Sequence, residues 1–407
     1  MYLLGLLVMI VGLLISVALH EIGHMLPAKK FGAIVPEYFI GFGPTLFSKK
    51  VGQTTYGVKA VLLGGYVRIL GMFPEKTREP VLKANGTLKL ADEARAQSSE
   101  ELESARAAGA TGKPFYRLNT HQKLIIMFGG PLMNLVLAFV LMATAIVAIG
   151  WREPTTTLAE VSVGGAAEVA GIQAGDTIVS WDGVETPTWD DARAAITGST
   201  GEPVTVTVLR GGEEKSFQVT PSLEGESPVI GITAGQTRVR GSIGMALTGT
   251  GQAVGATAKA IVGLPVSLWN LATGLFKDEP RDPNGALSIV GVANMAGEIT
   301  AGGSGAGAGS LDWPDRISLL LSLMASLNIA LFVFNLIPLP PLDGGHIAGA
   351  LWGGVKNTVA RVGGKPKPAP PDTAKLVPLS QGVFIALILL TVLLVAADLI
   401  KPMNLFG

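Results

Sequence analysis

Two histidines and a glutamate lie together in an apolar stretch that contains no other charged side chain before Lys29. His20 and His24 are four residues apart, so on a helix both imidazoles point to the same side. Imidazoles at this spacing are typical zinc ligands, and Glu21 beside them is placed to take a proton from a metal-bound water. The pattern predicts a hydrolytic Zn²⁺ site on a helix.

Chance is the alternative explanation of this pattern. The chain has only four histidines, and an ionisable group inside a membrane span costs roughly 2.5–3.5 kcal/mol on insertion scales, which favours a functional reason for its presence. There is no cysteine, so a transition metal would have to be held by histidine and carboxylate.

The composition is that of a membrane protein. Of 407 residues, 48% are hydrophobic and only 15% are charged, and the mean hydropathy is +0.45. The net charge is zero and no basic run follows a phosphate-binding pattern, so no nucleic acid partner is expected. The expected surroundings are a lipid bilayer.

Four stretches are apolar enough to cross a bilayer, which needs about 20 helical residues. They are residues 2–28, 122–150, 317–338 and 379–400. The first lacks the basic leading segment of a signal peptide, so we expect it to remain attached.

The charges of the connecting segments predict the orientation. Residues 29–123 hold 15 Lys and Arg against 8 acids, residues 339–378 hold 5 against 2, and residues 151–315 hold 9 against 19. Basic loops stay in the cytoplasm. We therefore expect a multi-pass protein of the cell inner (plasma) membrane, with both termini outside and the active site near the cytoplasmic side.

A third metal ligand is expected where the third span ends, because the first and third spans both end at the cytoplasmic face. There the run NLIPLPPLDGGH, residues 335–346, offers the carboxylate of Asp343 and, three residues later, His346 as a competing ligand.

These two motifs resemble those of the site-2 proteases, intramembrane zinc metalloproteases, and in particular the bacterial regulator of sigma-E protease type. Residues 20–24 are similar to their HExxH motif, and residues 335–344 to their NxxPxxxLDG motif. The resemblance implies that His20, His24 and Asp343 bind zinc, that Glu21 is the catalytic base and that His346 is a bystander.

Two further segments resemble parts of this family that contact substrate. Residues 41–44, 56–59 and 64–67 are similar to its membrane-associated β-loop, which implies that Gly64 and Gly65 lie where an unwound substrate pairs as a strand. A hairpin with only a packing role is the alternative.

The second span opens with residues 129–134, which are similar to the GPxxN motif of the family. Asn134 and Asn335 are both expected at the cytoplasmic ends of their spans, where each amide could hold a substrate carbonyl or an oxyanion. Each could instead satisfy the broken backbone of a helix beside proline.

Outside the membrane, residues 155–222 resemble a PDZ domain, a fold that captures chain ends by strand addition and that this family uses to filter substrates by size. The chain has sequence for one such domain. The apolar stretch at 244–276 is expected to form interfacial helices along the outer leaflet, followed by a flexible link at 301–310.

The predicted fold class is a polytopic α-helical membrane protein with four transmembrane helices, a membrane-associated β-loop and one extracytoplasmic PDZ-like β-rich domain. Its predicted parts are span one (1–28), a cytoplasmic region (29–121) with the β-loop at about 39–72, span two (122–150), the PDZ-like domain (151–230), interfacial helices and linker (231–316), span three (317–338), the LDG segment and cytoplasmic linker (339–378), span four (379–400) and a tail (401–407).

The predicted function is that of an intramembrane zinc endopeptidase. By the resemblance, its substrates are transmembrane segments of single-pass proteins already trimmed outside, such as anti-sigma factors, and leftover signal peptides. One alternative is a membrane-anchored binding module whose active part is the PDZ-like domain. Another is a zinc transporter or sensor, which would need polar groups continuing through the outer leaflet.

Overall fold

The computed structural model describes residues 1–74, 89–224, 227–275, 277, 285–302, 311–366, 368–369 and 371–402. The chain forms two compact units, one made of Met1–Ala145 with Ser242–Gly407 and the other of Ile146–Gly241. The helices and strands are α1 (Tyr2–Lys30), β1 (Glu37–Val51), β2 (Thr54–Arg68), α2 (Leu90–Ala107), α3 (Thr120–Ala143), β3 (Trp151–Val161), α4 (Ala166–Val169), β4 (Thr177–Trp181), β5 (Val184–Glu185), α5 (Trp189–Thr197), β6 (Val204–Arg210), β7 (Glu213–Val219), β8 (Ser222–Glu224), β9 (Ser227–Val229), β10 (Ile232–Val239), α6 (Ile243–Gly274), α7 (Ile289–Ala301), α8 (Trp313–Asn335), α9 (Asp343–Val362) and α10 (Val377–Ile400).

Five helices among the described residues are long and apolar enough to cross a membrane. Four of them overlap the predicted spans: α1, α3 with the π-helical turn that extends it to Ile149, α8, and α10 with the 3-10 turn that precedes it. The fifth is α6, a single helix of 32 residues in the segment where separate interfacial helices are predicted. The apolar helices agree with the expected integral membrane protein.

In the first unit, α1 packs closely against α3. A Cβ added to Gly23 would lie 2.2 Å from the carbonyl oxygen of Gly129, so the two backbones touch where both residues lack a side chain. Farther along α1, Nδ2 of Asn328 on α8 donates to Oγ of Ser16 at 3.0 Å, and both side chains are fully buried. These contacts hold α3 and α8 against α1.

The strands β1 and β2 form an antiparallel hairpin beside α1. At its base the hydroxyl of Tyr38 donates to the carbonyl of Ala18 at 3.0 Å, which ties the hairpin to the helix that carries the two histidines. The far part of the hairpin exposes large apolar side chains, among them Phe42, Leu46 and Phe47. Exposed apolar side chains of this kind suit a hairpin that enters lipid.

Two helices lie in segments predicted as cytoplasmic linkers. The helix α2 lies in the predicted cytoplasmic region 29–121, and it buries Leu102 against Ile34 and Leu70. The helix α9 starts at Asp343 and exposes several large apolar side chains: Leu351, Trp352, Val355, Val359 and Val362. Residues 75–88 of the predicted cytoplasmic region lie outside the described residues.

The end of α6 lies beside the end of α10. The ammonium group of Lys401, which follows α10, donates to the carbonyl oxygen of Gly274 at 3.0 Å. The short helix α7 packs against the start of α1, where the hydroxyl of Thr300 donates to the carbonyl of Met1 at 3.0 Å. Most of the predicted flexible link, residues 303–310, lies outside the described residues.

The second unit contains an antiparallel sheet with strand order β10-β3-β4-β6-β7, and β5 pairs with β4. Its buried centre includes Leu158, Ile178, Trp181, Val206 and Val208. The unit continues past the predicted limit at residue 230 because β10 pairs with the whole of β3, from Trp151 with Val239 to Val161 with Ile232.

Candidate metal centre and active site

Three possible metal ligands from two distant parts of the chain meet at one point. His20 and His24 lie one turn apart on α1, and Asp343 is the first residue of α9. The Nε2 atoms of the two histidines are 3.2 Å apart, and each lies 3.3 Å from Oδ2 of Asp343. Among the described residues, this is the group of side chains that could hold a metal ion.

The geometry of these three atoms fits a zinc ion. A tetrahedral zinc with bonds of roughly 2.0–2.1 Å separates its ligand atoms by about 3.3 Å. The observed distances between the three atoms are 3.2, 3.3 and 3.3 Å. Oδ2 of Asp343 is buried and has no hydrogen-bond partner among the described residues. Buried carboxylate oxygens rarely lack a partner, so this atom is suited to a cation. Three protein ligands leave the fourth position for reactants.

The turn between α8 and α9 places Asp343. Residues 338–341 contain three prolines, which cannot continue α8 as a regular helix. Two glycines follow Asp343: a Cβ at Gly344 would lie 2.2 Å from the carbonyl oxygen of Ile337, and one at Gly345 would lie 2.6 Å from the backbone nitrogen of Pro340. The start of α9 therefore folds back tightly against the end of α8, and the carboxylate reaches the histidines of α1.

The hairpin holds Glu21. Oε2 of Glu21 accepts a hydrogen bond from the backbone N–H of Val67 on β2 at 2.9 Å. The carboxylate lines a cleft of about 430 Å³ together with the three possible metal ligands. Four residues of α2 form part of the same lining: Ala94, Gln97, Ser98 and Glu101. Glu21 thus lies in a cleft that is walled by α1, β2, α9 and α2.

The helix α3 contacts the Nδ1 atoms of both histidines. Nδ1 of His24 lies 2.7 Å from the carbonyl oxygen of Ile126, and Nδ1 of His20 lies 3.2 Å from Nδ2 of Asn134. Sequence reasoning missed Ile126 and Val67, because each contributes a backbone atom that carries no signal in the sequence.

The other predicted residues lie in different places. His346 lines the cleft but does not belong to the three-residue cluster. Asn134 is 1% exposed, and Asn335 is half-buried at the end of α8. Gly64 has a positive φ of 111°, and Gly65 pairs with Ile40 of β1. The described lining of the cleft includes neither glycine and not Asn335.

Apolar helices long enough to span a bilayer, together with a cluster of two histidines and an aspartate beside Glu21, are the features of an integral membrane metalloprotease. A sequence model of peptidase family M50 matches residues 8–365, and the chain belongs to this family, the site-2 proteases. As a member of the family it is a zinc metalloprotease, and the family acts on membrane proteins within the bilayer.

Named relatives agree with this assignment. The chain is 31% identical to zinc metalloprotease Rip1 of Mycobacterium tuberculosis over the full length of both proteins. It is 27% identical to zinc metalloprotease RasP of Geobacillus kaustophilus, with 81% of this chain and 84% of the relative covered. It is also 27% identical to metalloprotease MmpA of Caulobacter vibrioides, with 84% and 86% covered.

Proposed function

We propose that this protein is an intramembrane zinc endopeptidase that cleaves transmembrane segments of single-pass membrane proteins already trimmed outside, such as anti-sigma factors and leftover signal peptides. The observation that carries the proposal is the meeting of two imidazoles and one carboxylate at metal-ligand spacing beside Glu21. In this proposal Nε2 of His20, Nε2 of His24 and Oδ2 of Asp343 bind the zinc.

Glu21 moves the proton in the proposed reaction. Zinc, when bound, polarises the scissile carbonyl and makes a nearby water more acidic. Glu21 takes a proton from the attacking water, whose oxygen bonds to the carbonyl carbon, and returns the proton to the peptide nitrogen as the C–N bond breaks. The N–H of Val67 orients the carboxylate for both transfers.

Substrate binding is assigned to β2 and to the end of α8. A peptide bond inside a helix is shielded, so the substrate must unwind near the zinc. An unwound segment could add to the hairpin as a strand near Gly64 and Gly65, where backbone groups would hold it. Asn335 at the end of α8 remains a candidate to hold a substrate carbonyl or the oxyanion.

The metal cluster supports four spans instead of five, because a crossing by α6 would put Asp343, which follows α8, on the opposite side of the membrane from the histidines of α1. The β-rich unit precedes α6 and lies outside in the predicted topology, and α10 ends outside as well. Because Lys401 at the end of α10 binds the end of α6, both ends of α6 then lie on the outer side. In this topology α6 lies along the outer leaflet, both termini are outside, and the zinc site is near the cytoplasmic side of the plasma membrane.

The β-rich unit Ile146–Gly241 is proposed to be a PDZ-like domain that filters substrates by size or captures a chain end. Its support is the five-strand antiparallel order and the helix α5, which is capped at Thr188 by a reciprocal pair of hydrogen bonds with Asp191. A domain of this kind in front of the membrane would admit only substrates that have lost their bulky outer part.

The proposed function is tested by replacing Glu21 with Gln and co-expressing a tagged single-span reporter that is truncated outside the membrane. General base catalysis contributes roughly 10²–10⁴-fold, so Glu21→Gln should lower the cleaved product by at least about 100-fold. Zinc content should stay unchanged, because Glu21 is not a proposed ligand. Glu93→Gln on the exposed side of α2 is the matched control. Undiminished product from Glu21→Gln contradicts the proposal and favours the membrane-anchored binding module.

A further inference from the structure

Asn134 lies against the proposed zinc ligand His20 and not at the surface of the cleft. Its side chain is 1% exposed, and its Nδ2 is 3.2 Å from Nδ1 of His20. Its other amide atom, Oδ1, is buried without a hydrogen-bond partner in the described part of the chain. A side chain this deeply buried has almost no surface to offer a substrate.

The chemistry of a histidine ligand requires an acceptor at this position. For Nε2 of His20 to bind a metal it must present a lone pair, so the ring proton must be on Nδ1. The Nδ1–H group is then a buried donor. The two ends of an amide have the same shape, and a half-turn about its last bond exchanges them. With Oδ1 turned toward His20, the imidazole proton and the unpartnered amide oxygen satisfy each other.

His24 shows the same arrangement with a backbone acceptor. Its Nδ1 lies 2.7 Å from the carbonyl oxygen of Ile126, which can only accept, so Nδ1 donates and Nε2 faces the cluster with a lone pair. Ile126 and Asn134 both belong to α3. One helix therefore offers an acceptor to each of the two imidazoles.

We propose that Asn134 is a positioning residue of the zinc site: its Oδ1 accepts the Nδ1 proton of His20 and so keeps Nε2 directed at the metal. The proposal rests on the proposed function, since it assumes that His20 is a ligand. It gives Asn134 a role different from the substrate contact that the sequence predicts. Partners of this kind typically change metal affinity by 10–100-fold.

The test compares zinc dissociation constants of full-length variants in detergent, measured by competition with a chromophoric chelator. Asn134→Leu removes the acceptor and should bind zinc about 10–100-fold more weakly. Asn134→Asp keeps an acceptor but loses the amide donors, and should stay within about threefold of wild type. Asn328→Leu is the matched control, because Asn328 is also a fully buried membrane asparagine but pairs with Ser16; it should stay within the same range.

Three results overturn the proposal. They are an Asn134→Leu affinity within threefold of wild type, an Asn134→Asp affinity as weak as that of Asn134→Leu, and an equal loss in Asn328→Leu. If Asn134→Leu does not fold, Asn134→Asp decides, because this variant keeps an acceptor for the Nδ1 proton of His20 and lacks the amide donors.

Cleavage of the reporter at saturating zinc separates positioning from substrate contact. With the site filled, Asn134→Asp should keep the wild-type KM. A KM raised tenfold at unchanged zinc affinity identifies a substrate contact and overturns the proposal. If wild type binds zinc and cleaves the reporter but the Asn134 variants match it, only this inference fails. A wild type that binds no zinc contradicts the proposed function itself.

Discussion

Gly130 has no side chain at the point where α3 passes the two histidines. A Cβ at this position would lie 2.2 Å from Nε2 of His24, which real atoms cannot tolerate. Gly130→Ala should therefore push the imidazole aside and weaken zinc binding by at least about tenfold, in the range of ligand-positioning changes. Chelator competition on the purified variant measures this effect.

Gly382→Ala on α10 is the control for that substitution. Gly382 is also a helical glycine in an apolar helix, but a Cβ there would meet nothing within 4 Å. It should leave zinc affinity unchanged. Equal zinc affinities of Gly130→Ala and wild type would show that His24 can move without loss, and that the packing of α3 does not hold the site.

At the residue scale, spacing predicted the residues of the cluster but not their supports. His20, Glu21 and His24 are recognisable because a helix brings such positions to one side. Asp343 was recognisable from the topology and the family motif. The N–H of Val67 and the carbonyl of Ile126 exist in every sequence, and only packing decides which backbone atom reaches a side chain.

An ion pair between Asp176 and Arg210 joins the start of β4 to the end of β6 in the β-rich unit. Asp176, before β4, accepts hydrogen bonds from the guanidinium of Arg210 at 2.6 and 2.7 Å and from the N–H of Gln173 at 2.8 Å. The hydrogen bonds from Arg210 hold the pKa of the Asp176 carboxyl below its ordinary value. Such a group stabilises the fold above its unfolded pKa of about 4, and the stability is lost as pH falls through the lower folded pKa.

We therefore expect the β-rich unit to lose stability on acidification below about pH 4, and Asp176→Asn to reduce this dependence. Amide hydrogen exchange of β6 in the full-length protein, compared between pH 6 and the acidic range, measures this loss of stability. Asp190→Asn, at an exposed position of the same unit, is the control and should keep the wild-type profile. The same pH profile in Asp176→Asn as in wild type would assign the acid sensitivity to other carboxyls.

At the scale of elements, the sequence indicated the apolar helices and the hairpin but missed α9. Glycines at 344, 345, 349, 353 and 354 make this segment a poor helix by propensity. The structure uses them for close contacts: a Cβ at Gly354 would lie 2.9 Å from the side chain of Thr120. Tertiary contact overrides local propensity here, and a single sequence does not reveal it.

For the whole molecule, the number of spans depends on α6. The chain has no cysteine, so single cysteines can report sidedness without background. A membrane-impermeant maleimide added to intact cells should label Lys277→Cys, near the end of α6, and Glu185→Cys in the β-rich unit. The maleimide should label Thr358→Cys on α9 only after the membrane is permeabilised. Protection of Lys277→Cys in intact cells would make α6 a fifth span. The C-terminal ends of α6 and α10 would then both lie on the inner side.

The central claim is that two parts of the chain, remote in sequence, hold one zinc ion through His20, His24 and Asp343. The most direct measurement is the zinc content of purified protein after dialysis against a weak chelator, by mass spectrometry of the metal. We expect about one zinc ion per wild-type chain and almost none in Asp343→Asn, which retains the shape of the side chain but lacks its charge. Asp190→Asn should keep the wild-type content. A full equivalent of zinc in Asp343→Asn would contradict the account.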